Sequence, residues 1–505
     1  MLIAVVGSGV MGRGIAQIHA LAGHEVLLHD TRAQAIQAAR DHLGAMLERL
    51  VDKGRLSAEQ ARACMARIHA CPGIAGLADA ELVIEAIVED LPAKQALFEQ
   101  LESVVGDDTI LATNTSSLSV TAIASRCRCP QRVAGLHYFN PVPLMKVVEV
   151  VRGMRTDPAV LERLRTLSEE VGHRPVIAAD TPGFIVNHAG RGYTTEALRL
   201  LAEGVAEHSE IDRILREQVV FAGHGFRMGP FELLDLTGLD VSHTVMVSIH
   251  DQFYGEPRFR PSPLAAQRVA AGLFGRKSGA GFYRYDGGRQ ADEPAGEPAP
   301  AALPPIRVWV APGEAAASLR ETVDALGAKV STASVPGEQD IILLAPLGHD
   351  LSTASVGFDP ARCMAIDTLF PYGHRACRRR VLMRSPATDP GVAQAVASLF
   401  AGDGAQVSML RDSAGFVAQR VVAMIVAIGC EIAQQRIASA TDVDEAVRIG
   451  LGYPLGPIAM GDAIGAARID RLLANMHAVT GDPRYRPSLW VRRRAALGLS
   501  LFQED

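Results

Sequence analysis

Cysteine is scarce in this chain and follows no pattern. Seven cysteines among 505 residues (Cys64, Cys71, Cys127, Cys129, Cys363, Cys377, Cys430) are odd in number and scattered, which argues against a disulfide framework and against the paired spacings that hold zinc. No metal is expected, and a reduced, cytoplasmic setting fits. Long apolar runs are missing as well. The longest, Val421 to Cys430, lies between Arg420 and Glu431 and is too short to span a bilayer, so it reads as a buried helix and no membrane partner is expected. Nor is there a block of like charge: 50 Lys+Arg against 56 Asp+Glu give a formal net charge of -6, and nucleic acid is not an expected partner. The apolar pattern starts at Leu2, which leaves no room for a targeting segment ahead of it.

What the chain has in quantity is core-forming sequence. Hydrophobic residues make up 48 % and charged ones 21 % of it, the balance of a well-packed protein, and 505 residues exceed what one core organises. The clearest local signal comes first. Leu2 to Val6 is a strand-like run leading into Gly7-x-Gly9-x-x-Gly12, after which small and apolar residues continue at helical spacing through Ala16 and Ala20. Gly7 suits the tight turn, Gly9 the approach of a pyrophosphate to the backbone, and Gly12 the packing of helix on strand. Val10 and Met11 open that helix, whose free N–H groups face the phosphates. A second strand, Glu25 to His29, delivers Asp30 where a carboxylate meets an adenosine ribose and repels a 2′-phosphate, so the expected cofactor is NAD rather than NADP.

Thr31 to Ala70 then reads as a helical hairpin inserted between strands, broken at Gly54. Arg49, Lys53 and Arg55 at its turn suit a phosphate-bearing ligand; a solvated helix end is the alternative. Strand-like runs resume at Leu82–Ala86, Thr109–Thr113, Val133–Leu136 and Val147–Val151, separated by several helical stretches, which favours a doubly wound α/β sheet. Ligands in such sheets sit at the carboxyl ends of the strands. Polar groups fall there: Glu89 after the first of these runs, Asn114-Thr115-Ser116-Ser117 after the second, His137 after the third.

A nicotinamide at the first sheet needs a partner that manages the alcohol proton while hydride leaves the same carbon. His137 suits this, because the imidazole titrates nearest neutrality, and Glu149 on the next strand would orient it. A core histidine bonded to backbone and a solvated strand glutamate are the respective alternatives.

Residues 182–285 are helix-rich, with Asn187 in the first helix and Gly229-Pro230-Phe231-Glu232 opening another. Residues 286–305, rich in Pro, Gly, Ala and acid, read as a linker. Beyond it the chain repeats itself. Asp180 to Asn187 answers to Asp412 to Gln419, Met228-Gly229-Pro230 to Leu455-Gly456-Pro457, and Pro261-Ser262-Pro263 to Pro487-Ser488. The copy has lost its fingerprint: Ala311-Pro312-Gly313 follows the first strand of the second half, Ile306 to Val310.

Asn114-Thr115-Ser116-Ser117-Leu118, His137-Tyr138-Phe139-Asn140-Pro141-Val142-Pro143, Lys146 to Val150, Thr181 to Asn187 and Gly229 to Glu232 together resemble the NAD-dependent L-3-hydroxyacyl-CoA dehydrogenase family over residues 1–285. The resemblance implies a Rossmann domain (1–181, hairpin at 31–70) and an all-α helical domain (182–285); composition and the internal repeat add a linker (286–305) and a degenerate second copy made of a Rossmann-like domain (306–410) and a helical domain (411–505). It implies His137 as general base with Glu149, and Ser116 and Asn187 as groups positioning the substrate. Glu89, Lys94 and Asn114 would join Gly7, Gly9, Val10, Met11, Gly12 and Asp30 at NAD, and Lys53, Ser116 and Asn187 would meet an acyl-CoA thioester. His188-Ala189-Gly190 departs from the family's pattern. Long members resemble enzymes acting on 3-hydroxyadipyl-CoA and short ones those acting on 3-hydroxybutyryl-CoA; a terminal carboxylate would ask for a base such as Arg191 or Arg227. The alternatives are a 6-phosphogluconate-like or 3-hydroxyisobutyrate-like dehydrogenase, whose sites centre on lysine, and a non-catalytic NAD sensor. Family members dimerise through their helical domains, so the second copy is expected to form an internal pseudo-dimer, with a homodimer through another surface still open.

Overall fold

The computed structural model describes residues 1–291, 306–370 and 377–504. Two compact units divide the chain: Met1–His188 with Gln435–Leu451, and Ala189–Gln434 with Gly452–Asp505.

In the first unit eight strands form one sheet: β1 (Leu2–Val6), β2 (Glu25–His29), β3 (Ile68–Cys71), β4 (Leu82–Glu85), β5 (Ile110–Thr113), β6 (Val133–Tyr138), β7 (Val147–Arg152) and β8 (Arg174–Ala179). Their order is β3-β2-β1-β4-β5-β6-β7-β8, and every neighbouring pair is parallel except β6 with β7. The order reverses direction at β1, so the carboxyl ends of β1 and β4 flank the crevice where such sheets take ligands. Both faces are covered, as period-2 alternation on β1 requires: Ile3 and Val5 pack with Ile15, Leu43 and Leu47, whereas Ala4 and Val6 pack with Val83, Phe98 and Leu101.

The hairpin comprises α2 (Ala33–Asp52) and α3 (Ala58–Ala66), following α1 (Val10–Leu21), with Ser57 and Gln60 forming a capping box at the start of α3. Its expected limit at residue 70 runs too far, because Ile68 to Cys71 pairs with β2 as the outermost strand. A strand of four residues, two of them exposed, offers too little alternation to be seen. His137 also lies within its strand rather than past the end, since pairing with β7 holds β6 through Tyr138.

In the second unit the helices Arg191–Ala202 and Val417–Gln434 approach so closely that a Cβ on Gly192 would come 2.9 Å from Ile425 Cα. Val417–Gln434 is by length and composition apolar enough to cross a membrane, yet 89 % of its apolar window is buried within the protein. Between these helices Glu196 is buried against Arg420 (2.7 Å), Arg484 (3.1 Å) and the Tyr485 hydroxyl (2.7 Å). Burial works against the charge of Glu196, and the two guanidinium groups outweigh it, leaving its carboxyl below its ordinary pKa. A second sheet has six strands in the order Lys329–Val330, Arg307–Val310, Ile341–Leu344, Cys363–Ile366, Arg379–Met383, Gln406–Leu410. Its one antiparallel pair is Cys363–Ile366 with Arg379–Met383.

Residues 292–305 of the expected linker lie outside the described residues. Its first part is structured: Tyr285–Asp286 pairs antiparallel with Arg289–Gln290 across Gly287 and Gly288, at φ 54° and 79°. Two positive φ values in succession are what a type I′ hairpin turn demands, and glycine supplies them.

Candidate active site and cofactor cradle

The glycine turn forms a cradle. A Cβ on Gly7, at φ +104°, would sit 2.4 Å from Ala86 O, and one on Gly12 would sit 1.7 Å from Gly7 O. Neither position admits a side chain. Gly9 has nothing within 4 Å, so the space its missing side chain leaves is open to a pyrophosphate, and α1 starts at the next residue, Val10. Asp30 follows β2, and its Oδ2 accepts from Ser8 N (3.0 Å) and Ser8 Oγ (2.7 Å), while Oδ1 accepts from Arg32 N (3.1 Å). Partial burial raises the Asp30 pKa, and these donors more than reverse the effect. Ser8, an unspecified position of the fingerprint, is a contributor that sequence reasoning missed.

A buried charge network supports the next loop. Glu85, fully buried at the end of β4, accepts from Lys94 Nζ (2.6 Å), Ile87 N (2.7 Å) and Thr113 Oγ1 (2.6 Å). Lys94, itself 1 % exposed, also reaches Glu89 at 3.3 Å. Glu89 Oε1 then accepts from Thr115 Oγ1 (2.6 Å), Ser116 N (3.0 Å), Ser117 N (3.1 Å) and Ser117 Oγ (2.9 Å). Burial pushes the Glu89 carboxyl up, and the donors of Thr115, Ser117 and Ser116 with the Lys94 charge bring it below its ordinary value. Glu89 thus holds the loop that carries Ser116. Asn114 ties the ends of two strands together, accepting from Tyr138 N at 2.9 Å. The sequence signal for Glu85 was an acid inside an apolar run with a lysine nine residues on, which is legible only once burial is known.

His137 and Glu149 face each other as a cross-strand pair. The ring Nδ1 lies 2.6 Å from Glu149 Oε2, with the two side chains 6 % and 0 % exposed. The other oxygen of Glu149 accepts from Ile185 N (2.9 Å) and Val186 N (2.8 Å), so the carboxylate is fixed at both ends and fixes the ring in turn. It also anchors the short helix Val186–Ala189, on which Asn187 Nδ2 reaches Ser116 O at 3.5 Å. Four expected residues, His137, Glu149, Ser116 and Asn187, are thereby joined through one network. Lys53 is exposed at the C-cap of α2, and among the described residues no hydrogen bond or ion pair joins it to that network. Arg191 and Arg227 belong to the second unit, Arg191 opening a helix and Arg227 exposed. Among the described residues no group of three or more His, Cys, Asp and Glu is placed to hold a metal ion.

The model of the 3-hydroxyacyl-CoA dehydrogenase NAD-binding domain matches residues 2–181, and that of the 3-hydroxyacyl-CoA dehydrogenase C-terminal domain matches 183–285 and 415–500. The chain belongs to the 3-hydroxyacyl-CoA dehydrogenase family. It is an NAD-dependent oxidoreductase, and the cradle fits that cofactor. Among relatives of this family, the 3-hydroxyadipyl-CoA dehydrogenase of Escherichia coli (strain K12) is 39 % identical over 98 % of this chain and 97 % of its own length. A probable 3-hydroxybutyryl-CoA dehydrogenase of Deinococcus radiodurans is 39 % identical over 56 % of this chain and 100 % of its own. A solved 3-hydroxybutyryl-CoA dehydrogenase from Escherichia coli K12 superposes with a TM-score of 0.85 at 36 % identity, covering 98 % of each chain.

Proposed function

We propose that this 3-hydroxyacyl-CoA dehydrogenase oxidises a short-chain L-3-hydroxyacyl-CoA, 3-hydroxyadipyl-CoA or 3-hydroxybutyryl-CoA, to the 3-oxoacyl-CoA, with His137 as general base. The buried His137–Glu149 pair carries the reading. A carboxylate on Nδ1 leaves Nε2 to accept the 3-hydroxyl proton, and it stabilises the imidazolium that results. Bound NAD supplies the hydride acceptor. Ser116 and Asn187 meet the oxygen as it gains charge, on a loop and a helix held by Glu89 and Glu149. Gly7, Gly9, Val10, Met11, Gly12 and Asp30 hold the cofactor, with Glu89, Lys94 and Asn114 setting the loop beside it, and Lys53 meets the CoA phosphates. The network of four residues favours this reading over a lysine-centred dehydrogenase or a non-catalytic sensor. The test is NADH formation with a panel of CoA thioesters of varied length and terminus. The highest kcat/KM is expected for 3-hydroxyadipyl-CoA or 3-hydroxybutyryl-CoA, and no turnover of any 3-hydroxyacyl-CoA refutes the reading.

We further propose that the second half is a degenerate copy bearing no second NAD site. The 3-10 turn Pro130–Arg132 before β6 has a counterpart in Pro360–Arg362 before Cys363–Ile366. Four residues after the start of that strand stands Asp367, where His137 stands in β6, and its N–H bonds to Val381 O at 2.9 Å, the place of Glu149. Gln419, in Asn187's place, bonds to Gly348 N (2.9 Å), Pro346 O (3.2 Å) and Asp367 Oδ1 (2.9 Å). Polar groups persist there, bonded to one another. Residues 411–434 and 452–505 act with residues 189–285 as the internal equivalent of a dimer, in a chain suited to the cytoplasm.

A further inference from the structure

The first unit contains seventeen residues, Gln435–Leu451, that come from the second helical half of the chain. Within them the helix Ala440–Gly450 starts at Ser439, whose Oγ accepts from Asp442 N at 3.0 Å. Its Ala440, Val443, Ala446 and Val447 are buried, a spacing that gives one apolar face, and the helix packs on β7 and β8. β8 is the edge of the sheet, and an edge exposes unpaired backbone groups. Here Ala179 N, at the end of β8, donates to Ile437 O at 2.7 Å. Arg174, at the start of β8, pairs with Glu445 and lies 3.8 Å from Asp442.

The far end of this helix reaches residues that flank the His137–Glu149 pair. A Cβ on Gly450 would lie 3.1 Å from both Val186 Cγ1 and Cγ2 and 3.4 Å from Val147 Cγ1. Val147 opens the strand that bears Glu149, two residues on and on the same face. Val186 donates its N–H to Glu149 Oε1 and precedes Asn187. A methyl at position 450 therefore needs the Val186 side chain to give by a few tenths of an ångström, and a larger side chain presses on the strand and the helix N-terminus that together fix the carboxylate.

We propose that Gly450, with the helix it ends, is a positioning element of the active site: the appended half of the chain supports the His137–Glu149 pair from behind. The proposal rests on His137 as general base, and the experiment separates the two. In the full-length protein, Gly450→Val is expected to lower kcat by tenfold or more while the KM for acyl-CoA, the Kd for NAD and Tm change little. Gly450→Ala, whose methyl requires a shift of only tenths of an ångström, is expected to lower kcat several-fold. Combining either with Val186→Ala, which removes the obstructing methyls, is expected to restore at least half of the lost kcat when all variants are assayed well below their Tm, so that the recovery does not track stability. If Gly450→Val does not fold, Gly450→Ala and its double variant carry the test. Normal kcat in Gly450→Ala, or a double variant as slow as its parent, overturns the proposal. Normal turnover by His137→Gln would overturn the base assignment instead.

Discussion

Replacing Glu149 by Gln preserves size and removes one charge, and the structure dictates how the amide must sit. Oε1 of Glu149 accepts from Ile185 N and Val186 N, at residues 0 % and 1 % exposed, and buried donors left without an acceptor cost about 1–3 kcal/mol each. The amide oxygen must therefore face them. Its NH2 then faces His137 Nδ1, which the wild-type carboxylate meets at 2.6 Å. A donor at that place requires Nδ1 to accept, which puts the ring proton on Nε2, the nitrogen that the proposed mechanism needs free to take the substrate's proton. The variant would be folded, would bind both substrates, and would hold its base in the wrong tautomer. A histidine base so mis-set loses on the order of 10⁴ in kcat, or about 5 kcal/mol of transition-state stabilisation. Steady-state NADH formation at saturating NAD and 3-hydroxyacyl-CoA measures kcat, and calorimetric titration of NAD checks that the cradle is unchanged. A kcat within tenfold of wild type would refute the tautomer argument and, with it, the role assigned to Glu149.

Three further outcomes follow from other parts of the protein. Asp30→Ser removes the carboxylate held by Ser8, so the KM for NAD is expected to rise roughly 10- to 100-fold, the loss of a charge-assisted hydrogen bond, with the preference over NADP narrowing; equal use of both cofactors by the unmodified enzyme would contradict this reading. Burial, with His24 and His173 nearby, pushes the His19 pKa down to about 3, below the unfolded value of about 6.5. The folded form resists a proton that the unfolded form accepts, so the stability it contributes is complete above about pH 6.5 and falls as pH drops toward 3. Urea unfolding between pH 6.5 and 5 should show wild type losing about 1.6 kcal/mol more than His19→Gln, and parallel losses would refute it. Calorimetry of the whole chain with NAD should give a stoichiometry near one, and two equivalent sites would rule out the degenerate-copy reading.

The parts of this protein that were legible in its sequence are those whose geometry is settled within a few residues. The path from Leu2 to Gly12 reads directly because each glycine answers a local demand, a positive φ at Gly7 and a backbone approach at Gly12 that no Cβ survives. His137 and Glu149 were legible because they lie on consecutive antiparallel strands, where a short connection brings side chains opposite one another. β3, β8 and the hairpin at Tyr285 were not: exposed His69 and Ala70 interrupt the apolar run of β3, Arg174-Pro175 opens β8, and the hairpin strands are two residues long. Tertiary structure decided matters that depend on which distant surfaces meet. The family resemblance places Lys94 at NAD; its burial between Glu85 and Glu89, which makes it a support for the Ser116 loop, is nowhere legible in the sequence. No pattern around Gly450 in the sequence points to Val186. The bond from Ala179 to Ile437 joins residues hundreds of positions apart, and such a pairing is selected by the complementarity of two folded faces, a property that exists only after each has formed.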